Sequence, residues 1–292
     1  MIASEAQRNR WQNVGGTLML AKIIRGSKHR AMSSIFSKNK ILIGVVHLAP
    51  LPGSPRSKEN LTSLIRSAVA DARAYEQGGA DAIFIENFGD VPFTKNSVAP
   101  ETIASMAVAG RAVRDAVKIP IGFNVLRNDA HAALALVASC GGSFVRINVH
   151  TGAMLTDQGL IEGNAYETLR LKKNLCPDAQ IFADVHVKHA VPMGNWTIED
   201  SARDTMERGL ADALIVSGSG TGMATDLEDV RRVRNACPKA KILIGSGITV
   251  KNVQTFLPMI DGVIVGSSLK RNGKLENPVD AKRVNALKRA MK

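Results

Sequence analysis

The stretch Asn174-Leu175-Cys176-Pro177-Asp178-Ala179-Gln180-Ile181 returns sixty-one residues later as Asn235-Ala236-Cys237-Pro238-Lys239-Ala240-Lys241-Ile242. A second echo sets Gly79-Ala80-Asp81-Ala82-Ile83 against Leu210-Ala211-Asp212-Ala213-Leu214, 131 residues on. Both offsets are multiples of about thirty residues, the size of one βα unit. Each echo has the same grammar: a helix ends, glycine or proline turns the chain, and an apolar run begins.

Worked outward, that grammar covers the chain from Ile41 onward. The apolar runs are 41–46, 82–86, 121–125, 144–149, 181–185, 213–217, 242–245 and 262–265. They are rich in Ile and Val and lack alternation, as strands buried on both faces should be. Between and after them lie amphipathic stretches at 61–77, 102–117, 130–140, 164–175, 198–208, 226–236, 250–257 and 279–291. Eight strands, each followed by a helix, predict a single parallel (β/α)8 TIM barrel over residues 41–292. An open doubly wound sheet is the alternative.

Composition narrows the function. With 45% hydrophobic and 22% charged residues the chain is neither disordered nor membrane-spanning, since no apolar run approaches the ~18 residues a span needs. The three cysteines cannot staple a chain this long and read as reduced thiols of an intracellular protein. The net charge of +12 is lopsided: residues 1–40 carry eight basic side chains against the single acid Glu5. The barrel region is therefore only mildly basic. No nucleic-acid-binding motif is present, so no nucleic-acid partner is expected. The leader, basic and serine-containing, has a transit-peptide composition, pointing to a mitochondrion or another organelle. An unstructured extension, or an upstream start with Met19 or Met32 as true initiator, accounts for it equally.

Barrel chemistry belongs at the carboxyl ends of the strands. Those ends carry His47, Glu86, Asn87, Asn124, Arg146, Asn148, His150, Asp184, His186, Lys188, Ser217, Gly218 and Gly220. Glu86, Asp184 and His186 are the candidate acid–base residues; the others are candidate substrate contacts. Asp184, His186 and Lys188 alternate with period two, which places all three on one face. They would form a proton relay, or half of a divalent-metal site completed by His47 or His150. Buried within its strand, Arg146 requires a carboxylate partner, either Glu86 or Asp184. After the last two strands come Gly245-Ser246-Gly247, with Thr249 as a candidate helix cap, and Gly266-Ser267-Ser268. Such loops cradle phosphate where backbone N–H groups face an anion, and otherwise simply make tight turns.

The segments 43–55 (Ile-Gly-Val-Val-His-Leu-Ala-Pro-Leu-Pro-Gly-Ser-Pro), 79–82, 86–93, 146–152, 184–189 and 217–222 together resemble the BtpA family over about residues 41–290. The resemblance implies a (β/α)8 barrel. The family's namesake is tied to photosystem I biogenesis in cyanobacteria. Relatives occur in organisms with no photosystem, some beside sugar-uptake genes. The resemblance assigns no catalytic residue. The expected function is an enzyme acting on a small phosphorylated metabolite, a phosphosugar or phosphoribosyl compound, by isomerisation, lyase or glycosidic-cleavage chemistry. Self-association is expected, as for other barrels of this type. The alternative is a non-catalytic assembly factor for an organellar or photosynthetic membrane complex.

Overall fold

A computed structural model describes residues 35–37, 40–58, 60–218, 220 and 223–292. Most of the basic leader, and the expectation attached to it, lies outside the described residues.

Eight parallel strands close on themselves. They are β1 (Ile41–His47), β2 (Ala82–Glu86), β3 (Ile121–Asn124), β4 (Phe144–Ile147), β7 (Gln180–Val185), β9 (Ala213–Val216), β10 (Ile242–Ile244) and β11 (Gly262–Val265). Each pairs with the next in that order, and β1 pairs with both β2 and β11, which makes the sheet a barrel and excludes the open alternative. The helices are α1 (Leu61–Gly78), α2 (Pro100–Ala116), α3 (Ala130–Cys140), α4 (Ala165–Leu175), α5 (Ile198–Glu207), α6 (Leu227–Ala236), the short α7 (Val253–Phe256) and α8 (Ala281–Ala290). Among the described residues no helix is long and apolar enough to cross a membrane. All three cysteines are free.

The echoes of the sequence are repeated joints. Cys176 and Cys237 end α4 and α6, and the N–H groups of Ala179 and Ala240 fold back onto their carbonyls at 3.0 and 3.1 Å. Asp81 and Asp212 stand one residue before β2 and β9. Each donates its N–H to a carbonyl of the preceding barrel strand, Leu42 and Ile181 respectively, both at 2.8 Å. Its carboxylate then accepts that same residue's N–H, at 2.8 and 2.7 Å. Asp261 repeats the joint before β11, with Ile242 of β10. These clasps set the register of neighbouring strands at the barrel floor.

Inside the barrel, Phe84, Phe144 and Phe182 form an aromatic layer, with the Phe144 and Phe182 rings stacked at 5.1 Å. Gly122 makes room for it, because a Cβ there would overlap the Phe144 ring. Below, a 3-10 turn at Ile35–Ser37 sets the Phe36 ring 5.5 Å from Phe182 and buries Ile35. The floor is thus closed by residues at the end of the stretch read as leader.

One element was not foreseen. After β4 the chain forms the hairpin β5 (Ala153–Thr156) and β6 (Gly159–Glu162), and β8 (Ala190–Pro192) joins β5 to make a three-stranded antiparallel sheet. Its signal was the pair of apolar couples, Met154-Leu155 and Leu160-Ile161, flanking Asp157-Gln158-Gly159.

The second echo carries a stability prediction. Gly79 and Leu210 occupy equivalent positions and both are left-handed, φ +89° and +51°. A side chain in that region costs roughly 1–2 kcal/mol, against less than about 1 kcal/mol for glycine's extra chain entropy. Leu210 is 61% exposed, so little packing is at stake. Leu210→Gly should therefore stabilise the protein by about 0.5–1 kcal/mol, read as a higher urea midpoint. A lower midpoint would refute the argument.

Candidate functional site

Two residues above the aromatic layer, strand alternation brings polar groups inward: Glu86 above Phe84, Arg146 above Phe144, Asp184 above Phe182, Asn124 above Gly122. Arg146 and Asp184 make a two-bond fork, Nε to Oδ2 at 3.0 Å and Nη2 to Oδ1 at 2.9 Å. Their side chains are 3% and 0% exposed. Burial pulls the Arg146 guanidinium down and Asp184 more than reverses it, holding the cation above its ordinary value. Asn148 donates to Asp184 Oδ2 at 3.0 Å, and the Ser217 hydroxyl to Oδ1 at 3.3 Å. Asn124 then donates to Asn148 Oδ1 and to the Arg146 carbonyl, at 3.0 and 3.1 Å. Of the two candidate partners for Arg146, the structure selects Asp184.

Glu86 is left in a different state. It is 5% exposed and makes no side-chain hydrogen bond among the described residues; the nearest paired nitrogen is His47 Nε2 at 3.9 Å. Burial pushes its carboxyl up, against the pull of Arg146, Lys188 and Arg127. His47 is pressed down to about 3 by burial and by the charges of Lys270, Lys188 and Arg146, so its ring is neutral. The ring packs edge-on to Phe88 at 4.8 Å, and its buried Nδ1 has no partner among the described residues. Lys188, in the turn between β7 and β8, is held down by burial and by Arg146.

One cleft collects these groups. His47, Glu86, Arg146 and Lys188 line it together with Gly245, Ser246, Gly247, Gly266, Ser267 and Ser268. Gly266 is required there, since a Cβ would meet the His47 ring; a Cβ at Gly245 would strike the Ser217 hydroxyl. Ser246 Oγ accepts from the Gly218 N–H and donates to the Met223 carbonyl, and Ser268 Oγ donates to Ile248. The N–H groups of Gly247, Ile248, Ser267 and Ser268 donate to no acceptor among the described residues. Thr249 is not the residue before α7, which starts at Val253; its Oγ1 accepts from Lys251 N–H at 3.3 Å in the turn ahead of that helix, and the Asn252 side chain ties Thr249 N–H and the Gly247 carbonyl.

Other candidates stand apart. His186 leaves the alternation at φ +50° and meets Ser201 of α5, Nε2 to Oγ 3.0 Å. His150 lies past the end of β4, its Nε2 2.8 Å from the Gly209 carbonyl. Asn87 is occupied with the loop backbone, accepting from Leu126 N–H at 2.7 Å. The Asp184–His186–Lys188 relay is therefore not assembled. Nor, among the described residues, does any group of three His, Cys, Asp or Glu side chains stand ready for a metal ion. Gly220 lies near Met223 and His189, and Ser219, Thr221 and Gly222 fall outside the described residues.

Residues 38–292 match the BtpA family. The chain belongs to that family. It is 46% identical over 256 residues to the photosystem I biogenesis protein BtpA of Synechocystis, covering 88% of this chain and 89% of that one. It is 46% identical over 254 residues to an uncharacterized Pyrococcus furiosus protein (87% and 95% covered). An uncharacterized mitochondrial protein of Caenorhabditis elegans is 32% identical over 268 residues (87% and 96%). Among solved structures, phosphoribosyl anthranilate isomerase from Thermococcus kodakaraensis superposes with TM-score 0.54 at 14% identity, covering 87% of this chain and 99% of the other. Tryptophan synthase from M. tuberculosis gives 0.55 at 17% identity (89% and 99%). These two share the fold.

The Arg146–Asp184 fork makes a stability prediction. Asp184→Asn leaves a buried cation without its counter-charge and should cost about 3–5 kcal/mol. The double variant Arg146→Met, Asp184→Leu should recover most of it. Urea unfolding of both singles and the double measures the coupling. A cost below about 1 kcal/mol for Asp184→Asn would contradict the structural role.

Proposed function

We propose that this protein is an enzyme acting on a small phosphorylated metabolite, a phosphosugar or phosphoribosyl compound. The observation that carries the reading is the shared cleft: Glu86, which makes no side-chain hydrogen bond among the described residues, lines one cavity with the last two barrel loops, whose N–H groups at Gly247, Ile248, Ser267 and Ser268 find no acceptor there. The phosphate rests on Gly245–Gly247 and Gly266–Ser268. Glu86 transfers the proton, since a carboxyl pushed up by burial holds a proton more readily than an ordinary carboxylate and can return it. Neutral His47 orients the reacting group, and Arg146, fixed by Asp184, faces the charge that develops. Isomerisation, lyase and glycosidic-cleavage chemistry all use this set. The phosphoribosyl substrate named for the isomerase of the same fold supports the substrate class by analogy.

A second reading is a non-catalytic assembly factor. The name of the Synechocystis relative favours it, as does an exposed apolar row on the small sheet, Leu160, Leu155 and Val191. For location, the basic leader and the mitochondrial worm relative support delivery to an organelle. A fluorescent reporter fused to residues 1–40 should then concentrate in that organelle, and diffuse signal would argue against import.

The test is a thermal-shift panel of phosphorylated sugars and their unphosphorylated partners. A ligand at 100 times its Kd adds about 2.7 kcal/mol, roughly 5–10 °C for a domain of this size. The shift should be confined to phosphorylated probes and vanish in Ser267→Asp, which sets a carboxylate against the phosphate. Equal shifts with both classes would sink the phosphate site. Glu86→Gln should keep binding and lose turnover. A carboxyl raised by folding loses stability as pH climbs from the ordinary carboxyl range through the raised value. Glu86→Gln should therefore be more stable than the native chain at pH 8, with the gap closing as pH falls.

A further inference from the structure

The cleft has a second lobe. Glu86, Arg146 and Lys188 also line an adjoining cavity whose remaining walls are different in kind: Phe88, Val91, Phe93 and Leu126 on one side, Arg127, Asn148, Asp157 and His189 on the other. The first lobe is walled mainly by small loop residues and holds the free N–H groups. The second has aromatic and branched apolar walls, with the partly exposed rings of Phe88 and Phe93. The two lobes therefore suit different parts of one ligand, and the residues they share are those with charged side chains capable of chemistry.

Two features narrow what the second lobe takes. Aromatic walls of this type favour a flat ring, which stacks or meets them edge-on. Three cations line it, Arg127, Arg146 and Lys188, and Arg146 is already paired with Asp184. Arg127 is 5% exposed and donates Nη2–H to the Lys188 carbonyl at 2.6 Å, which pins the turn. The Lys188 ammonium makes no hydrogen bond or ion pair among the described residues. A ring bearing an acidic or carbonyl oxygen would meet that ammonium, whereas a cationic ring would face Lys188 and Arg127, with Asp157 and Glu86 as the lobe's carboxylates.

We propose that the second lobe binds a planar ring with an acidic or carbonyl substituent, carried on the same molecule as the phosphate. This rests on the phosphate reading above and adds to it the other end of the substrate. The bond joining sugar and ring then lies over Glu86, Arg146 and Lys188, which makes a ring-bearing phosphoribosyl compound the substrate class rather than a bare phosphosugar.

Calorimetric titration of the full chain with four probes tests this: ribose 5-phosphate, uridine 5′-monophosphate, orotidine 5′-monophosphate and free orotate. The expected order places orotidine 5′-monophosphate tightest and ribose 5-phosphate at least about tenfold weaker. Phe93→Ala should remove about tenfold of that preference while leaving ribose 5-phosphate unchanged. Phe93→Leu, which keeps the wall apolar, should remove part of it and guards against a folding defect. Ribose 5-phosphate binding as tightly as either nucleotide, or a preference indifferent to both Phe93 variants, overturns the second lobe and leaves the phosphate site standing. Failure of all three phosphorylated probes overturns both readings, and binding of orotate alone as tightly as its nucleotide overturns the phosphate end.

Discussion

The site is organised by the cost of burying Arg146. A guanidinium at 3% exposure is stable only if a counter-charge and enough acceptors reach it. Asp184 supplies both oxygens from β7, and Asn148 and Ser217 complete that carboxylate from β4 and the end of β9. Asn124 adds β3 through Asn148. Four strands of the barrel are thereby tied through one charged pair. Two buried carboxylates consequently have different roles. Asp184 is held in an ion pair; Glu86, on β2, is desolvated and makes no side-chain hydrogen bond among the described residues. A reactive group needs that asymmetry, because a carboxylate locked in a fork cannot move a proton without exposing the cation it holds.

Packing below explains why the polar groups sit where they do. Strand alternation fixes only which residues face inward; height is fixed by register. The aspartate clasps at Asp81, Asp212 and Asp261 set that register at the floor, and the Phe84, Phe144 and Phe182 rings fill the middle. Solvent is shut out from beneath, so Glu86 and Arg146 feel a low dielectric on one side and the cleft on the other. Glycine does the opposite work above. Gly245 and Gly266 leave room for Ser217 and His47, and the free N–H groups gather around the opening so created.

The barrel was legible because it is periodic. Apolar runs and the two echoes located each strand to within a residue or two, and the echoes proved to be repeated hydrogen-bonded joints. The requirement that Arg146 find a carboxylate was legible as well, from electrostatics alone, although the choice between Glu86 and Asp184 was not. What failed was alternation carried past the last ladder bond. His186 and His150 follow the inward phase on paper, yet β7 ends at Val185 and β4 at Ile147. Beyond those points the chain turns to satisfy its own backbone, and His186 swings to α5. Asn148 keeps its place because Asp184 and Asn124 both hold it. Thr249 caps only the turn ahead of the helix, which itself starts four residues later at Val253.

The small antiparallel sheet, unread in the sequence, bears on function through its connections. Its strands leave the barrel immediately after β4 and after β7, the two strands that carry Arg146 and Asp184. Asp157, at the tip of the β5–β6 hairpin, and Lys188 and His189, in the turn that enters β8, all reach the second lobe. Val149 and Val187 anchor those excursions with Met154 and Ile161 in a separate apolar cluster. Arg127, from the loop after β3, closes the circuit by binding the Lys188 carbonyl. The sheet thus gives a wall to a cavity that a minimal barrel would leave open to water. The insertion and the buried Glu86 carboxyl therefore border the same cavity.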